Sequence, residues 1–373
     1  MAGVLEEHRS YLQLPGRSAS YRRALRRVVQ PGDVVADLGC GIGVLGLFAL
    51  EAGAGHVYGV DSSDAAELAR EAMQRAAMAD RYTVLRGSSF EVTLPEPVDL
   101  LLCDHVGFFG VDYGIVPMLA DARERFLKPG GRIMPERIDL FVAGLSSPKA
   151  AGLIEAWRDP ELPEPLHNLR GYAVNTRHGV DLTGADLCTG SQACGSVDLT
   201  RTAAPHMVLS AELTAKRDCR FDGIAGWFSC QLTEGAAMTN DPADPASIAR
   251  SQAFLPAETP FDVREGDTIG IEIGLRTDGD HLTWTITPPA GAVQTMSSWK
   301  GTILHSHDLA LQSGAAIAPG RQGRMVAVVL AAMDGSSALD AILARMQRDH
   351  CDLFASEGDL VRQVERTVRW LSS

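Results

Sequence analysis

Val34-Val35-Ala36-Asp37-Leu38-Gly39-Cys40-Gly41-Ile42-Gly43 carries a short apolar run into a glycine-rich turn, and an apolar helical stretch follows. Glycines in such a turn let the backbone approach a nucleotide-like ligand where a Cβ would clash. Asp61 ends the next apolar run, His56-Val57-Tyr58-Gly59-Val60. A carboxylate in that place can accept both hydroxyls of a ribose. The corner therefore reads as strand, ligand-approaching loop, helix.

Outward from this corner the chain alternates. Residues 18–30 read as a basic amphipathic helix ending at Pro31-Gly32. Apolar runs at Tyr82-Thr83-Val84-Leu85 and Val98-Asp99-Leu100-Leu101-Leu102 are separated by helix-like segments, notably 64–78. Strand and helix in alternation predict a parallel sheet covered on both faces. Gly130-Gly131 is expected to close a helix around 116–127 and open another short strand. After Val142 the pattern changes. Residues 143–206 are polar and Gly-rich, whereas 207–213, 224–232, 268–275 and 282–287 are β-rich, punctuated by turns such as Asp278-Gly279. An antiparallel, barrel-like domain is expected there. The end turns helical again around Ala338–Leu343 and Asp359–Val364. The expected division is 1–142, an α/β Rossmann-like domain; 143–318, the β-barrel-like domain; and 319–373, a small helical module.

Gly41-Ile42-Gly43-Val44-Leu45-Gly46 also fits the dinucleotide pattern G-x-G-x-x-G. Three features favour S-adenosylmethionine (SAM) over NAD. Asp37 stands before the glycines, where its charge can meet an amino-acid ammonium but would repel a pyrophosphate. Leu127-Lys128-Pro129-Gly130-Gly131 is a connection common in SAM methyltransferases. A second acidic point, Asp99 or Asp104, flanks the strand whose end faces the ligand. SAM is the expected cofactor and S-adenosylhomocysteine the product.

Val57-Tyr58-Gly59-Val60-Asp61-Ser62-Ser63, Arg86-Gly87 with Glu91-Val92-Thr93-Leu94-Pro95, and Leu127–Arg137 together resemble the protein arginine methyltransferase superfamily. The resemblance covers about 5–142, continues more weakly over 207–287, and says little about 143–206. His8, Arg17 and Tyr21 fall at the spacing of that family's cofactor-covering helices. The resemblance implies that Arg17 pairs with the SAM carboxylate, that Asp37 with Gly39, Gly41 and Gly43 holds the methionine end, and that Asp61, with Ser62 beside it, holds the ribose. Ser89 and Phe90 would border the adenine, although the family usually has Glu where Phe90 stands. Tyr11 lies where the family often has Met near the transferred methyl.

The departures concern the acceptor. The family orients the acceptor guanidinium with two glutamates on the loop after the fourth strand. Here that loop reads Asp104-His105-Val106-Gly107-Phe108-Phe109-Gly110-Val111-Asp112-Tyr113, so Asp104 and Tyr113 stand at the two positions and Asp112 lies one residue aside. The place of the family's Thr-His-Trp loop falls near Ser247-Ile248-Ala249-Arg250, without His or Trp. Phe108, Phe109, Asp112 and Tyr113 are the expected acceptor-binding residues. Asp104, His105 and Tyr113 are the expected catalytic ones, with His105 as base because its reference pKa lies near 6.5. This lining suits a flat, electron-rich small molecule, for instance an indole-type metabolite of a biosynthetic pathway. A protein or peptide arginine methyltransferase and a non-catalytic SAM-binding protein are the alternatives.

The 373 residues are 45% hydrophobic and 22% charged, an ordinary globular composition with room for two or three domains. The net charge of −13 disfavours nucleic acid and anionic membranes as partners. No run approaches the roughly 18 apolar residues of a membrane helix. The start lacks the features of a signal peptide. Seven cysteines without a Cys-x-x-Cys pair argue against a disulfide framework, so a cytoplasmic location is expected. His305 and His307 have no third ligand nearby, and no metal is expected. The family's habit of dimerising implies a homodimer, with residues 145–205 as a possible arm. The tail around 323–368 resembles a winged-helix module found on peptide-processing enzymes.

Overall fold

A computed structural model describes residues 2–14, 16–201, 204–277, 281–303 and 318–371. Two helices, α1 (Ala2–Gln13) and α2 (Arg17–Val28), precede β1 (Val34–Leu38), α3 (Val44–Glu51), β2 (His56–Asp61), α4 (Ala65–Arg75), β3 (Tyr82–Arg86), β4 (Val98–Cys103), α5 (Ile115–Arg125) and β5 (Leu127–Met134). The strands form one sheet in the order β3-β2-β1-β4-β5, and every pairing is parallel. β1 and β4 are buried almost throughout, as strands covered on both faces must be. The strand order reverses beside β1, and ligands of open α/β sheets gather at the carboxyl ends of strands at such a point.

The register fixes what meets there. Leu38 pairs with Val60 on one side and with Cys103 on the other. The next residues, Gly39, Asp61 and Asp104, therefore leave the sheet in one row.

The second part begins earlier than residue 143. β6 (Arg137–Leu145) already pairs with β10 (Cys219–Thr233) and β8 (Gln192–Asp198), starting at Arg137 opposite Gln231 and Asp198. The antiparallel sheet order is β7-β12-β10-β6-β8, with β7 His178–Val180 and β12 Gln252–Val263; β11 (Ala236–Thr239) pairs with β10 alone. A further sheet has the order β15-β14-β13-β9, comprising β9 (His206–Thr214), β13 (Thr268–Arg276), β14 (Leu282–Thr287) and β15 (Gln294–Ser297). In β13 every second residue is buried, Ile269, Ile271, Ile273 and Leu275, the alternation of a sheet with one face on a core. The segment without sequence periodicity holds α6 (Pro148–Glu155), α7 (Leu169–Val174), β7 and β8.

α2 bridges the two sheet systems. Tyr21, Ala24 and Leu25 are buried, and the Tyr21 hydroxyl donates to the Cys103 carbonyl at the end of β4 at 3.0 Å, while Arg27 Nη1 donates to the Gly235 carbonyl at 2.6 Å in the β10–β11 turn. Residues Met1–Thr302 accordingly make one compact unit, and the division expected at 142 lies inside it. The second unit is Ile303–Ser373, which starts before the expected residue 319. Its helices, Arg321–Ala332, Leu339–Asp349 and Glu357–Leu371, enclose their own core of Met325, Val329, Ile342, Met346, Leu360 and Val364. No strand occurs among its described residues. The expected turn at Asp278-Gly279 and the pair His305 and His307 lie outside the described residues.

Candidate active site

A cavity of about 520 Å³ opens at the carboxyl edge of the parallel sheet, within the size range of small-molecule sites. It is lined by residues of the β1 turn, the ends of β2, β3 and β4, helix α1, and Arg250 of the loop before β12. Of the expected cofactor residues, Tyr11, Arg17, Asp37, Gly39, Gly41, Asp61, Ser62, Ser89, Phe90 and Asp104 all line it.

Asp37 decides which nucleotide-type ligand fits. Its Oδ2 accepts the Gly46 amide of α3 at 2.8 Å and the Tyr82 hydroxyl at 3.3 Å. One amide near the start of α3 is thus already taken by a carboxylate, where a pyrophosphate would need both the amide and the absence of that charge. Burial, opposed by these hydrogen bonds and by Arg17, pushes Asp37 up to about 7. The third glycine of the G-x-G-x-x-G run has a packing reason. A Cβ on Gly46 would come 2.5 Å from the Tyr82 ring.

At the ribose position, Asp61 is oriented by Gly41 N on Oδ2 at 2.8 Å and by Ser63 N and Oγ on Oδ1 at 2.8 and 2.6 Å. Ser89 is buried and Phe90 half exposed at the adenine end. Arg125 holds that loop by donating to the carbonyls of Ser89 and of Val92, the latter at 2.8 Å, while ion-paired with Asp121. Gly39 must be glycine: its φ is +66°, and a Cβ there would overlap the His105 ring. Gly43 does not line the cavity. It caps α3 from the left-handed region, with Met73 behind it, so its expected cofactor contact is replaced by a helix-starting role.

The acceptor end is organised around Asp104. Its carboxylate is ion-paired with Arg17, accepts the Tyr21 hydroxyl at 2.9 Å, and lies 3.8 Å from Arg250 Nη2. Burial works to raise its pKa, but Arg17, Arg250 and the Tyr21 hydroxyl outweigh it and hold Asp104 below the usual carboxylate range. His105 lines the cavity with its Nδ1 3.5 Å from Cys103 Sγ. Burial lowers its pKa, against the pull of Asp104, so the imidazole is neutral at pH 7. Tyr113 also lines the cavity, 39% exposed.

Three expected acceptor residues lie elsewhere. Asp112 is buried, accepts the amides of Phe108 and Phe109 at 3.0 and 2.9 Å, and pairs with Arg177 at 3.2 Å. Its carboxylate is consumed in shaping the loop. Phe109 is fully buried and fills the space over Gly226, where a Cβ would meet it at 2.8 Å. Phe108 packs over Gly179 and edge-on to Tyr113, with ring centroids 5.8 Å apart, outside the cavity lining. These aromatics seat the loop on the barrel instead of facing a ligand.

Among the lining residues outside the expected set are Met118 on α5 and Arg250. Arg250 could have been found, because it sits where the family's Thr-His-Trp loop falls. Asn240, outside the lining, was not expected either. Its side chain accepts Phe228 N and donates to the carbonyls of Phe108 and Ser251, each at 2.9 Å, tying the Asp104–Tyr113 loop to the strand that follows Arg250.

Known proteins resemble this chain in sequence and in fold. Residues 22–135 match the family described as ribosomal protein L11 methyltransferase (PrmA). Protein arginine N-methyltransferase 1 of Saccharomyces cerevisiae is 32% identical over 237 residues, which are 59% of this chain and 65% of the yeast protein. The chain thus spans just under two thirds of that relative's length. Among solved structures, a Trypanosoma brucei protein arginine methyltransferase enzyme–prozyme heterotetrameric complex with S-adenosylhomocysteine superimposes with a TM-score of 0.68 at 21% identity, covering 78% of this chain and 97% of that one. Arabidopsis thaliana protein arginine methyltransferase 10 gives 0.66 at 20% identity, covering 79% and 98%. These structural likenesses speak for the fold. The chain is a member of the protein arginine methyltransferase-like superfamily of class I SAM-dependent methyltransferases.

The residues present fit SAM. Asp37, Asp61, Arg17 and the glycines of the β1 turn line one cavity, a set of charges and of open backbone that suits a ligand with an ammonium, a carboxylate and a ribose. Among the described residues no group of three or more His, Cys, Asp or Glu could hold a metal ion, and no helix is long and apolar enough to cross a membrane.

Proposed function

We propose that this chain is a SAM-dependent protein N-methyltransferase with arginine as its acceptor. The observation that carries the reading is the gathering of Arg17, Asp37, Asp61 and Ser89 around one cavity in a chain whose curated relatives are named protein arginine N-methyltransferases. When bound, SAM supplies an electrophilic methyl on a sulfonium and leaves as S-adenosylhomocysteine. Arg17 would hold its carboxylate, Asp37 its ammonium and Asp61 its ribose. The acceptor nitrogen would form the new N–C bond as the C–S bond breaks, and then release a proton. His105, kept neutral by burial, is the group placed to take that proton. Asp104 would orient the acceptor by charge.

A second reading has a specific observation in its favour. Tyr113 and Arg250, not a second carboxylate, face the cavity, and this favours a small, flat, electron-rich acceptor over a guanidinium. Incubation with methyl-labelled SAM and protein and metabolite fractions separates the two by where the label appears.

Self-association is part of the proposal. Leu153, Leu166 and Tyr172, on the segment from α6 to α7, are exposed large apolar side chains that a second copy could cover. A cytoplasmic location is supported by the seven cysteines, all of them free.

A further inference from the structure

Three carboxylates line the cavity, and all three are engaged from within the chain. Asp37 takes the Gly46 amide and the Tyr82 hydroxyl; Asp61 takes the Gly41 amide and Ser63. Asp104, the one at the acceptor end, faces two guanidiniums at once. Arg17 approaches from α2, and Arg250 from the loop before β12. Arg250 is itself buried, its side chain 7% exposed. Its Nη1 donates to the Gly107 carbonyl at 3.3 Å, and its guanidinium carbon lies 5.5 Å from the centre of the Tyr11 ring. These contacts aim a cation into the cavity at the carboxylate that an incoming guanidinium would use.

We propose that Arg250 is an acceptor-specificity residue: its guanidinium occupies the Asp104 carboxylate from inside the chain, so an arginine acceptor must displace it to be engaged. The inference rests on the arginine reading above for the identity of the acceptor, but the competition it describes is a matter of binding and is tested without turnover. With both arginines in place, an acceptor guanidinium would be a third cation on one carboxylate. Like charges brought together at a site are a strong element of discrimination.

The test measures the affinity of the full-length protein, saturated with S-adenosylhomocysteine, for an arginine-containing peptide and for its citrulline counterpart. Citrulline keeps the shape and lacks the charge. R250Q is expected to tighten arginine-peptide binding about tenfold and to leave the citrulline peptide unchanged, because only the charged acceptor competes with Arg250. R250K keeps a competing cation and is expected to stay near the parent protein. In D104N, which removes the contested carboxylate, R250Q is expected to have no effect, as a coupled pair requires. S-adenosylhomocysteine binding reports that each variant is folded, and R250M serves as a second neutral variant should R250Q fail to bind it. Unchanged or weakened arginine-peptide binding in a folded neutral variant overturns the proposal, as does an equal gain for citrulline. Tighter binding without methylation in any variant leaves the role of Arg250 standing and overturns the arginine reading instead.

Discussion

Arg17, in the first turn of α2, is ion-paired with Asp104, the first residue after β4, across 87 positions of sequence. This contact pins the N-terminal helices to the carboxyl edge of the sheet and places a guanidinium where a carboxylate ligand can reach it. Arg17→Ala should weaken SAM binding by about 1.5–3 kcal/mol, the range for a lost hydrogen bond to a charged group. Calorimetric titration checks this, and an unchanged affinity would remove Arg17 from the cofactor site.

Asp37 makes cofactor binding depend on pH. Burial holds its pKa near 7, so much of the ligand-free protein carries a neutral carboxyl at that pH. An ammonium requires the ionised form. Binding should therefore lower the pKa, release a proton and strengthen as pH rises through about 7, then level off. The same raised pKa means that this group's contribution to the stability of the ligand-free fold is present below its ordinary value of 3.8 and lost as pH rises through about 7. Affinity for S-adenosylhomocysteine measured from pH 6 to 8 should show the trend in the parent protein and lose it in Asp37→Asn.

His105→Ala separates a proton acceptor from a packing residue. Removal of a positioned base costs roughly 100-fold or more in turnover. The ligand's dissociation constant should move far less, because the imidazole meets the Gly39 edge of the cavity and donates no hydrogen bond to the carboxylates that hold the ligand. Since burial lowers its pKa, the basic form persists below the ordinary 6.5, and the acid limb of the rate profile should fall below that value. At saturating SAM, where the ionisation of Asp37 no longer limits binding, an acid limb above 6.5 would assign the proton to another group.

Asp112 gives a stability prediction. It is buried, accepts two amides of its own loop and pairs with Arg177. Asp112→Ala would remove the acceptor of those amides and the carboxylate side of the Arg177 ion pair, at a cost of about 3–5 kcal/mol in denaturant unfolding. Asp112→Asn, which can still accept one amide, should cost less. A neutral effect of both would mean that the loop does not depend on this carboxylate.

Much of the α/β part was legible in the sequence because buried parallel strands are continuous apolar runs: β1, β2, β3 and β4 fall where those runs stand. The harder strands lack that signal. β12 carries Pro256 and Pro260, residues that count against a central strand, yet it sits between β7 and β10 with a register shift opposite Phe221 and Gly223. β8 is an edge strand with a mostly exposed pattern, so no apolar alternation marks it. β5 starts at Leu127 and absorbs the Gly130-Gly131 pair that reads as a turn; a register shift against Val98 and Leu100 makes room. Asp99 was open as a ligand-side acid, but it lies at the other end of β4, held by Lys128 and Val34 N at 2.8 and 2.9 Å.

The cofactor half of the site follows one strand–turn–helix corner, and local sequence carries it. The acceptor half does not. Whether Phe109 and Asp112 face a ligand or the barrel depends on Gly226 and Arg177, which are distant in sequence. Arg250 reaches Asp104 from the loop before β12, a juxtaposition that no local pattern encodes.

The activity proposed for this chain is methyl transfer from SAM to a protein side chain. Purified protein incubated with methyl-labelled SAM and a host-cell lysate, followed by separation of macromolecules from metabolites and acid hydrolysis of the protein fraction, tests it most directly. Label should appear in protein, recovered as methylated arginine. Label confined to a low-mass aromatic compound, with none in protein, would contradict it and would establish the small-molecule reading in its place.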